Sequence, residues 1–200
     1  MTRFSLLLVA IVVSACGYQE PTVGKSRLAT ADGVEPAPAG PTVELPGGEL
    51  PAGVTGTVRL AIDRDMPYDD VRAFVARARA AGVTPVFLVH RREEIFAMPG
   101  ASESLGKDPI KLRATIEGKA CVSPPDNEEA TCIKRKDQNR IDRAFVRRIL
   151  QKAVREWGLK NIHVVLEPGL TWADAVRAID GARTCCVEKD LRVTVDPPLL

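Results

Sequence analysis

The sequence predicts a mixed α/β (α+β) fold with small mixed sheets, helices packed on one face, and a strand–helix–strand unit present twice. Residues 61–82 read AIDRDMPYDDVRAFVARARAAG, which is the end of a strand, an acidic turn and an amphipathic helix. A second version, LEPGLTWADAVRAIDGARTCC, spans residues 166–186 at an offset of 104 residues. Since self-similarity at a fixed offset decides an architecture, we predict a fuller second copy and an incomplete first copy that lacks the preceding strand and the long helix of the second.

The composition is that of an ordinary globular protein. The chain has 200 residues, 45% of them hydrophobic and 27% charged, with a formal net charge of +2. A charge so close to zero predicts no general attraction to nucleic acid. We find no motif for a cofactor, a metal ion or a catalytic nucleophile, and the sequence therefore predicts a protein that is not an enzyme.

Residues 1–15 are predicted to be a lipoprotein signal peptide. Arg3 supplies a positive charge, and residues 4–13 form an apolar run that is too short to cross a bilayer. The sequence VSAC ends at Cys16 and resembles the bacterial lipoprotein box, in which the cysteine is lipid-modified. We expect Cys16 to anchor the mature chain in the cell envelope, facing the periplasm. Gly17 at the next position favours the outer membrane.

Residues 16–56 are predicted to be a disordered, lipidated tether. Six prolines alternate with Gly and Ala, and large apolar side chains are rare. Such a composition buries too little apolar surface to offset the entropy of ordering the chain. A flexible tether of this length would hold the folded part roughly 35 Å from the membrane.

The first unit is assigned to residues 57–98 and is followed by a linker at residues 99–109. Val58, Leu60 and Ile62 alternate with polar residues as in a half-buried strand. Pro67 begins a helix that Gly82 ends, and an apolar strand follows at residues 85–89. This order implies parallel pairing of the two strands. Residues 95–98 fit either a further strand or a turn of helix.

The second unit is assigned to residues 110–200. Residues 110–116 alternate as a strand, residues 121–122 continue it after a turn, and residues 130–134 could return antiparallel. Asn139 is expected to cap a long helix that ends at Gly158. A strand at residues 162–166, a helix capped by Thr171 and a closing strand at residues 191–195 complete the unit.

Both copies resemble the ExbD/TolR family in this arrangement of strand, acidic turn and helix. The resemblance rests on AIDRDMPY with AAGV in the first copy, and on LEPGLTW with residues 175–183 in the second. The order of elements in the second unit is also similar to the whole periplasmic domain of that family. The resemblance covers most of residues 57–92 and 110–196.

Membership of this kind would imply a periplasmic, non-catalytic binding module. Proteins of the family act beside ExbB/TolQ-like motors and contact TonB-like proteins or peptidoglycan, and their domains pair across subunits. The present chain departs from them because a cleavable signal without any acidic residue replaces the membrane helix that carries a proton-coupled aspartate. Proton coupling is therefore not carried over. The two units of this chain could form the corresponding pair within one polypeptide.

Four cysteines besides Cys16 are expected to form disulfides in an oxidising compartment. Cys121 and Cys132 could join a hairpin, or they could pair with Cys185 and Cys186. A bridge between the adjacent residues 185 and 186 is rare because it is strained, so the hairpin bridge and the cross-pairing remain open alternatives.

A basic run is the strongest asymmetry of charge in the sequence, with Asp137 and Asp142 as its only nearby acids. Its members are Lys134, Arg135, Lys136, Arg140, Arg143 and Arg147. It could bind an anionic glycan, a lipid headgroup or an acidic partner, or it could be a solvated helix face.

The two histidines, the two tryptophans and the acids at the strand ends are expected to have structural roles. His90 and His163 lie on predicted strands, and Trp157 and Trp172 fit the core. Asp63 and Glu167 end equivalent strands and are expected to form turns.

The function predicted from the sequence is an accessory of an energised transport or cell-wall system. The alternative is a structural lipoprotein that joins a membrane to peptidoglycan.

Overall fold

A computed structural model describes residues 20–99, 106–125, 129–136, 139–186 and 191–196, and the signal peptide and Cys16 lie outside these ranges. The predicted mixed α/β class is confirmed, with helices packed against mixed sheets. In chain order the described elements are β1 (Thr22–Val23), β2 (Ser26–Arg27), β3 (Thr42–Leu45), β4 (Gly56–Ile62), α1 (Tyr68–Ala80), β5 (Val83–Arg91), β6 (Glu94–Met98), β7 (Ile110–Ala114), β8 (Lys119–Ser123), β9 (Thr131–Lys134), α2 (Arg143–Trp157), β10 (Asn161–Leu166), α3 (Trp172–Arg183) and β11 (Arg192–Asp196).

The first sheet has the strand order β3-β4-β5-β6. β4 and β5 are parallel and are joined through α1, as the strand–helix–strand pattern predicts. β6 returns antiparallel beside β5, so residues 95–98 form a strand and not a turn of helix. The alternating apolar residues of β4 point towards α1 and the common core.

The second sheet has the strand order β11-β10-β7-β8-β9. β10 lies between two parallel neighbours, β11 and β7, and the β7–β8–β9 part is an antiparallel meander. Strand β7 ends at Ala114, two residues earlier than predicted, and Ile116 lies in the following turn with 54% of its surface exposed. Helices α2 and α3 cover the inner face, so the buried residues of β7 and β10 meet them.

Corresponding residues of the two copies form corresponding backbone hydrogen bonds. The Asp63 N–H donates to the Leu45 carbonyl at the end of β3 (2.8 Å). The Glu167 N–H, 104 residues later, donates to the Ala114 carbonyl at the end of β7 (3.0 Å). β3 therefore occupies in the first sheet the place that β7 occupies in the second. The expectation that the first copy lacks its preceding strand is wrong, since residues assigned to the tether supply that strand.

The two units meet through a reciprocal pair of backbone hydrogen bonds. Tyr68 N–H donates to the Leu170 carbonyl (2.8 Å), and Trp172 N–H donates to the Met66 carbonyl (2.7 Å). Each bond is the image of the other under the offset of 104 residues, so the contact has pseudo-two-fold symmetry. Phe87 of β5 packs on the Trp172 ring with a centroid distance of 5.4 Å, and a single hydrophobic core includes residues of both units.

The described part of the predicted tether, residues 20–56, is folded onto the first unit. Val43 and Leu45 of β3 are buried in the common core. Leu28 is 1% exposed and packs with Ala61 and Leu88 on the face of the first sheet opposite α1. The prediction of disorder was wrong because it treated these few apolar residues in isolation, whereas the sheet offers them an apolar surface and unpaired backbone groups.

Helix α2 begins three residues later than the predicted cap would allow. Asp142, and not Asn139, is its N-cap, and its carboxylate accepts the N–H groups of Ala144 (2.9 Å) and Phe145 (3.2 Å). The predicted C-terminus is confirmed, since Gly158 has the left-handed conformation (φ 66°) that glycine adopts without strain. The predicted Thr171 cap of α3 is confirmed by its bond from the Asp174 N–H (3.2 Å).

Candidate functional site

The structure gathers most of the basic run around one pocket of about 300 Å³. The pocket lies between the N-terminal segment (residues 20–37), the start of α2 and the side of α3. Five arginines are among its lining residues, Arg135, Arg140, Arg143, Arg147 and Arg177. We call this set the arginine pocket. Lys134 and Lys136 are not among its lining residues, and Lys134 Nζ instead donates to Asn139 Oδ1 (2.8 Å).

The start of α2 concentrates positive charge at one wall of the pocket. The N-terminus of a helix carries a partial positive charge from its aligned peptide dipoles. Acidic residues usually occupy the first turn, but α2 has none there and begins with Arg143. Asp142 is the cap, and it also forms an ion pair with Arg135 (3.2 Å). Dipole and arginines therefore reinforce each other at this point.

Arg140 reaches the pocket because its backbone passes close to the turn between β7 and β8. Gly118 in that turn has a φ of 76°, and a Cβ added to it would lie 2.5 Å from the Arg140 backbone nitrogen. Any side chain at residue 118 would therefore push Arg140 away. The fuller second copy thus contributes its turn to the placement of the pocket.

A buried carboxylate, that of Asp180, lies beside the arginine pocket and contacts Arg143. Asp180 of α3 is only 1% exposed and accepts the N–H groups of Asp32 (2.9 Å) and Gly33 (2.8 Å). Arg143 Nη1 lies 3.2 Å from its Oδ2. A buried charge is tolerated when it is paired and hydrogen-bonded, and Asp180 satisfies both conditions. These bonds attach the N-terminal segment to α2 and α3.

Asp32 is the acid that faces the arginines of α2. Its carboxylate lies 3.0 Å from Arg143 Nη2 and 3.2 Å from Arg147 Nη1. The expectation that only Asp137 and Asp142 oppose the basic run is wrong, because Asp32 is brought in from more than 100 residues upstream. Asp137 lies outside the described residues. Part of the basic run therefore binds the chain's own N-terminal segment.

Cationic groups nevertheless outnumber anionic groups in the lining. Five arginines line the pocket, and Asp32 and Asp142 are the carboxylates in the lining. Two more carboxylates pair with these arginines from outside the lining, Asp180 with Arg143 (3.2 Å) and Asp174 with Arg177 (2.8 Å), which leaves an excess of one positive charge. Each guanidinium has five N–H donors arranged in a planar fork, and one or two contacts with a carboxylate do not use them all. Such forks match the oxygens of carboxylates and phosphates. The arrangement can thus bind an oxyanion.

Sequence reasoning missed Asp32, Arg177 and Asp180. One signal for Asp180 was present, because it lies among apolar neighbours in a helix that is buried on most sides. A charge at such a position requires a buried partner, which Arg143 and the N–H groups of the N-terminal segment supply. No local signal connects Asp32 with α2, since the contact depends on the path of the N-terminal segment.

Four of the cysteines form two pairs at disulfide distance. Cys121 and Cys132 face each other across β8 and β9 and form the hairpin bridge, one of the two alternatives. Cys185 pairs with Cys186 at the end of α3, the pairing that was expected to be rare. Cross-pairing is not observed. The hairpin brings Cys121 and Cys132 together by its register, and the remaining two cysteines are left to each other.

The two acids at the strand ends form turns, as predicted. Asp63 Oδ1 accepts the N–H of Asp65 (3.0 Å), and its Oδ2 accepts the N–H of Arg27 (3.1 Å). Burial opposes ionisation of Asp63, but these hydrogen bonds and the Arg27 guanidinium outweigh it and lower the pKa of Asp63. Glu167, the equivalent residue, accepts the N–H of Ile116 (2.9 Å).

The histidines and tryptophans have structural surroundings. His90 is buried, with Nε2 at 2.9 Å from Thr30 Oγ1 and Nδ1 at 3.0 Å from the Arg92 carbonyl. His163 Nδ1 lies 3.0 Å from Thr194 Oγ1, and burial lowers the pKa of His163. Trp172 is fully buried, and Trp157 packs against the edge of the core.

A larger cleft of about 900 Å³ lies over the outer face of the second sheet. Two of its basic groups are close to acids, since Lys119 is paired with Glu117 (2.5 Å) and Arg113 lies 4.0 Å from Glu167. Among the described residues, no three His, Cys, Asp or Glu side chains are grouped so that they could hold a metal ion. None of the helices in the described ranges is long and apolar enough to cross a membrane.

Comparison of the chain with protein-family models, with curated proteins and with solved structures found no match.

Proposed function

We propose that this protein is an exported bacterial lipoprotein, anchored through Cys16 and facing the periplasm, whose folded part is a non-catalytic, ExbD/TolR-like binding module. Its role would be that of an accessory to an energised transport or cell-wall system. The outer membrane is the favoured location, and an ExbB/TolQ-like or TonB-like protein is the expected partner. The resemblance of the two repeated turns to that family motivates the proposal.

The reciprocal contact between the two units is the observation that carries this proposal. Domains of the ExbD/TolR family pair across subunits, and here the two units pair within one chain through Met66, Tyr68, Leu170 and Trp172. A single polypeptide would then present the paired surface without needing a second copy. This arrangement supports a preassembled binding module.

The folded N-terminal segment favours an accessory at the anchoring membrane over a tether to peptidoglycan. Only four peptide units separate Cys16 from Glu20, where the described chain begins. A fully extended chain covers at most about 3.6 Å per residue, so the anchor can be no more than roughly 14 Å from the folded part. The module would therefore meet partners that lie close to that membrane.

Mild crosslinking in cells followed by purification of the full-length lipoprotein tests the proposal. We expect ExbB/TolQ-like or TonB-like proteins among the crosslinked partners. Recovery of cell-wall fragments alone would favour the alternative, a structural lipoprotein that joins the membrane to peptidoglycan. Loss of membrane association in Cys16→Ser is expected if Cys16 carries the lipid.

A further inference from the structure

We propose that the disulfide between Cys121 and Cys132 is a redox-active bond, which a dithiol reductant opens by thiol–disulfide exchange while the protein stays folded. The first attack falls on Cys132 Sγ, and Cys121 is the leaving group. This inference does not depend on the proposed function, because it concerns a covalent bond within the chain. It rests on the exposure of the bond, the position of β9 in the sheet and the charges nearby.

The two disulfides differ in their access to a reductant. Cys132 is exposed, and it lines the cleft of about 900 Å³ over the outer face of the second sheet together with Cys121. Cys121 is only 8% exposed, so an incoming thiolate reaches the sulfur of Cys132 first. In the other disulfide, Cys185 is 1% exposed and Cys186 is half-buried. Exposed disulfides are the more readily reduced ones, which favours attack on the Cys121–Cys132 bond.

The position of β9 leaves the path of attack open. A thiolate attacks a disulfide along the S–S axis, from the side opposite the leaving sulfur. Cys121 and Cys132 are directly opposite each other in the register of β8 and β9, so this axis leads from β8 outwards past β9. In the described part of the chain, no strand lies beyond β9 in this sheet. A reductant can therefore approach Cys132 from the open edge.

Basic side chains stabilise the thiolate that leaves from Cys121. Arg113 lies directly opposite Cys121 in the register of β7 and β8, which places the two Cβ atoms about 5 Å apart. Lys134 follows Cys132 by two residues on the same strand and therefore lies on the same face of the sheet. Positive charge beside a thiol favours its thiolate form and makes it a better leaving group.

Acids on this side of the sheet reduce the positive charge but do not cancel it. Glu117 pairs with Lys119 (2.5 Å), and Glu167 lies 4.0 Å from Arg113. The hydrogen-bond partner of Lys134 Nζ is a neutral amide oxygen. These three bases and two acids leave an excess of one positive charge beside the disulfide, so we expect a modest acceleration of the exchange.

The exchange proceeds in two steps that conserve atoms and electrons. One thiolate of the dithiol attacks Cys132 Sγ, the S–S bond breaks, and Cys121 takes the electron pair as a thiolate, which leaves a mixed disulfide at Cys132. The second thiolate of the dithiol attacks the reductant's own sulfur in this mixed disulfide and releases Cys132. The dithiol is oxidised to a disulfide, and the two cysteines take up the two protons that it loses.

Reduction removes the covalent link that holds β9 to β8. Three of the four residues of β9 are exposed and Ile133 is half-buried, so little apolar burial holds this strand in place. β9 leads into Arg135, which pairs with Asp142 (3.2 Å), the N-cap of α2. The redox state of the bond is thus coupled to the order of β9 and to the start of α2.

The test is a graded reduction of the full chain carrying Cys16→Ser with dithiothreitol, followed by alkylation of free thiols and peptide mass spectrometry. We expect Cys121 and Cys132 to become alkylated before Cys185 and Cys186, at a rate that rises linearly with the dithiothreitol concentration. A linear dependence means direct attack on the folded protein. A rate that reaches a plateau, which indicates that unfolding comes first, or earlier reduction of the other pair would overturn the proposal.

A monothiol identifies the sulfur that is attacked. Glutathione cannot complete the second step within one molecule, so rapid alkylation should trap its mixed disulfide. We expect glutathione on Cys132 and the alkyl group on Cys121. Glutathione attached to Cys121 instead would contradict the proposed direction of attack.

A charge variant tests the surroundings of the bond. Arg113→Gln/Lys134→Gln should slow the reduction roughly threefold at low ionic strength, and added salt should shrink the difference. The matched control is Arg192→Gln/Lys152→Gln, which removes the same charges from exposed positions on β11 and α2. Tryptophan fluorescence recorded during reduction verifies that each variant stays folded. Equal slowing by both double variants would overturn the proposal, because net charge and not the surroundings of the bond would then set the rate.

Discussion

The two strand–turn–helix units have the same turn and the same helix but are completed by different parts of the chain. The first unit takes β3 and a cover for its outer face from residues 20–45, and Leu28 of that region packs on Ala61 and Leu88. The second unit supplies its own neighbouring strand, β7, and a long helix, α2, on its inner face. Its outer face is left open and polar.

This difference shows what a unit of about 35 residues lacks. One strand–helix–strand unit has too little buried surface to be stable alone, so it needs a further strand and a covering layer. The core does not depend on which part of the chain provides them. A proline-rich segment is sufficient when a few apolar residues reach an existing sheet.

The largest expected effect concerns the contact that joins the units. Trp172→Ala removes a fully buried ring beside Phe87 and should lower the free energy of unfolding by about 3–5 kcal/mol. Because both units share one core, urea unfolding should remain a single transition. Two separate transitions, measured by fluorescence and by circular dichroism, would show that the units are independent.

The next largest effect on the free energy of unfolding concerns the outer faces of the two sheets, of which only the first is covered. Leu28→Ala should lower the free energy of unfolding by about 2–4 kcal/mol, because Leu28 is buried on the first sheet. Ile116→Ala, beside the open face of the second sheet, should change it by less than about 0.5 kcal/mol. Limited proteolysis should cut residues 20–37 faster only in the Leu28 variant. Equal effects of the two substitutions would contradict the folded N-terminal segment.

The outermost strands of the two sheets are held by different means. The Cys121–Cys132 disulfide joins β8 to β9, whereas backbone hydrogen bonds with Glu35 (both 2.9 Å) hold the Ala97 position of β6. Cys121→Ser/Cys132→Ser should lower the free energy of unfolding by about 2–3 kcal/mol, since a short loop is no longer closed. Amide exchange should become faster in β9 and stay unchanged in β6. Faster exchange in both strands would mean that the disulfide supports the whole fold.

The smallest effect concerns the pH dependence of the stability that the strand-end acid Asp63 contributes to the first unit. The pKa of Asp63 is lowered in the folded state, so its ionised form contributes stability above pH 3.8, the ordinary value, and this contribution is lost as the pH falls through the folded-state pKa. Asp63→Asn should cost about 1 kcal/mol at pH 7. The difference between the two proteins should disappear on acidification. A difference that is independent of pH would exclude ionisation of Asp63 as its cause.

Much of the fold could be predicted because its signals are local. Alternation placed β4 and β10, and helical periodicity with Gly82, Gly158 and Thr171 placed the ends of the helices. The offset of 104 residues also identified equivalent turns, and their matching hydrogen bonds follow from that equivalence. The basic run was visible for the same reason, since its members are close in sequence.

The sequence by itself thus determined the mixed α/β class, the repeated unit and the concentration of basic residues, because each depends on neighbours along the chain. Only the tertiary structure decided that residues 20–45 complete the first sheet, that Asp32 and Asp180 face Arg143, and that Arg177 joins the pocket. These contacts join residues far apart in the chain. Their stability comes from surfaces and buried charges that exist only when the rest of the chain is folded.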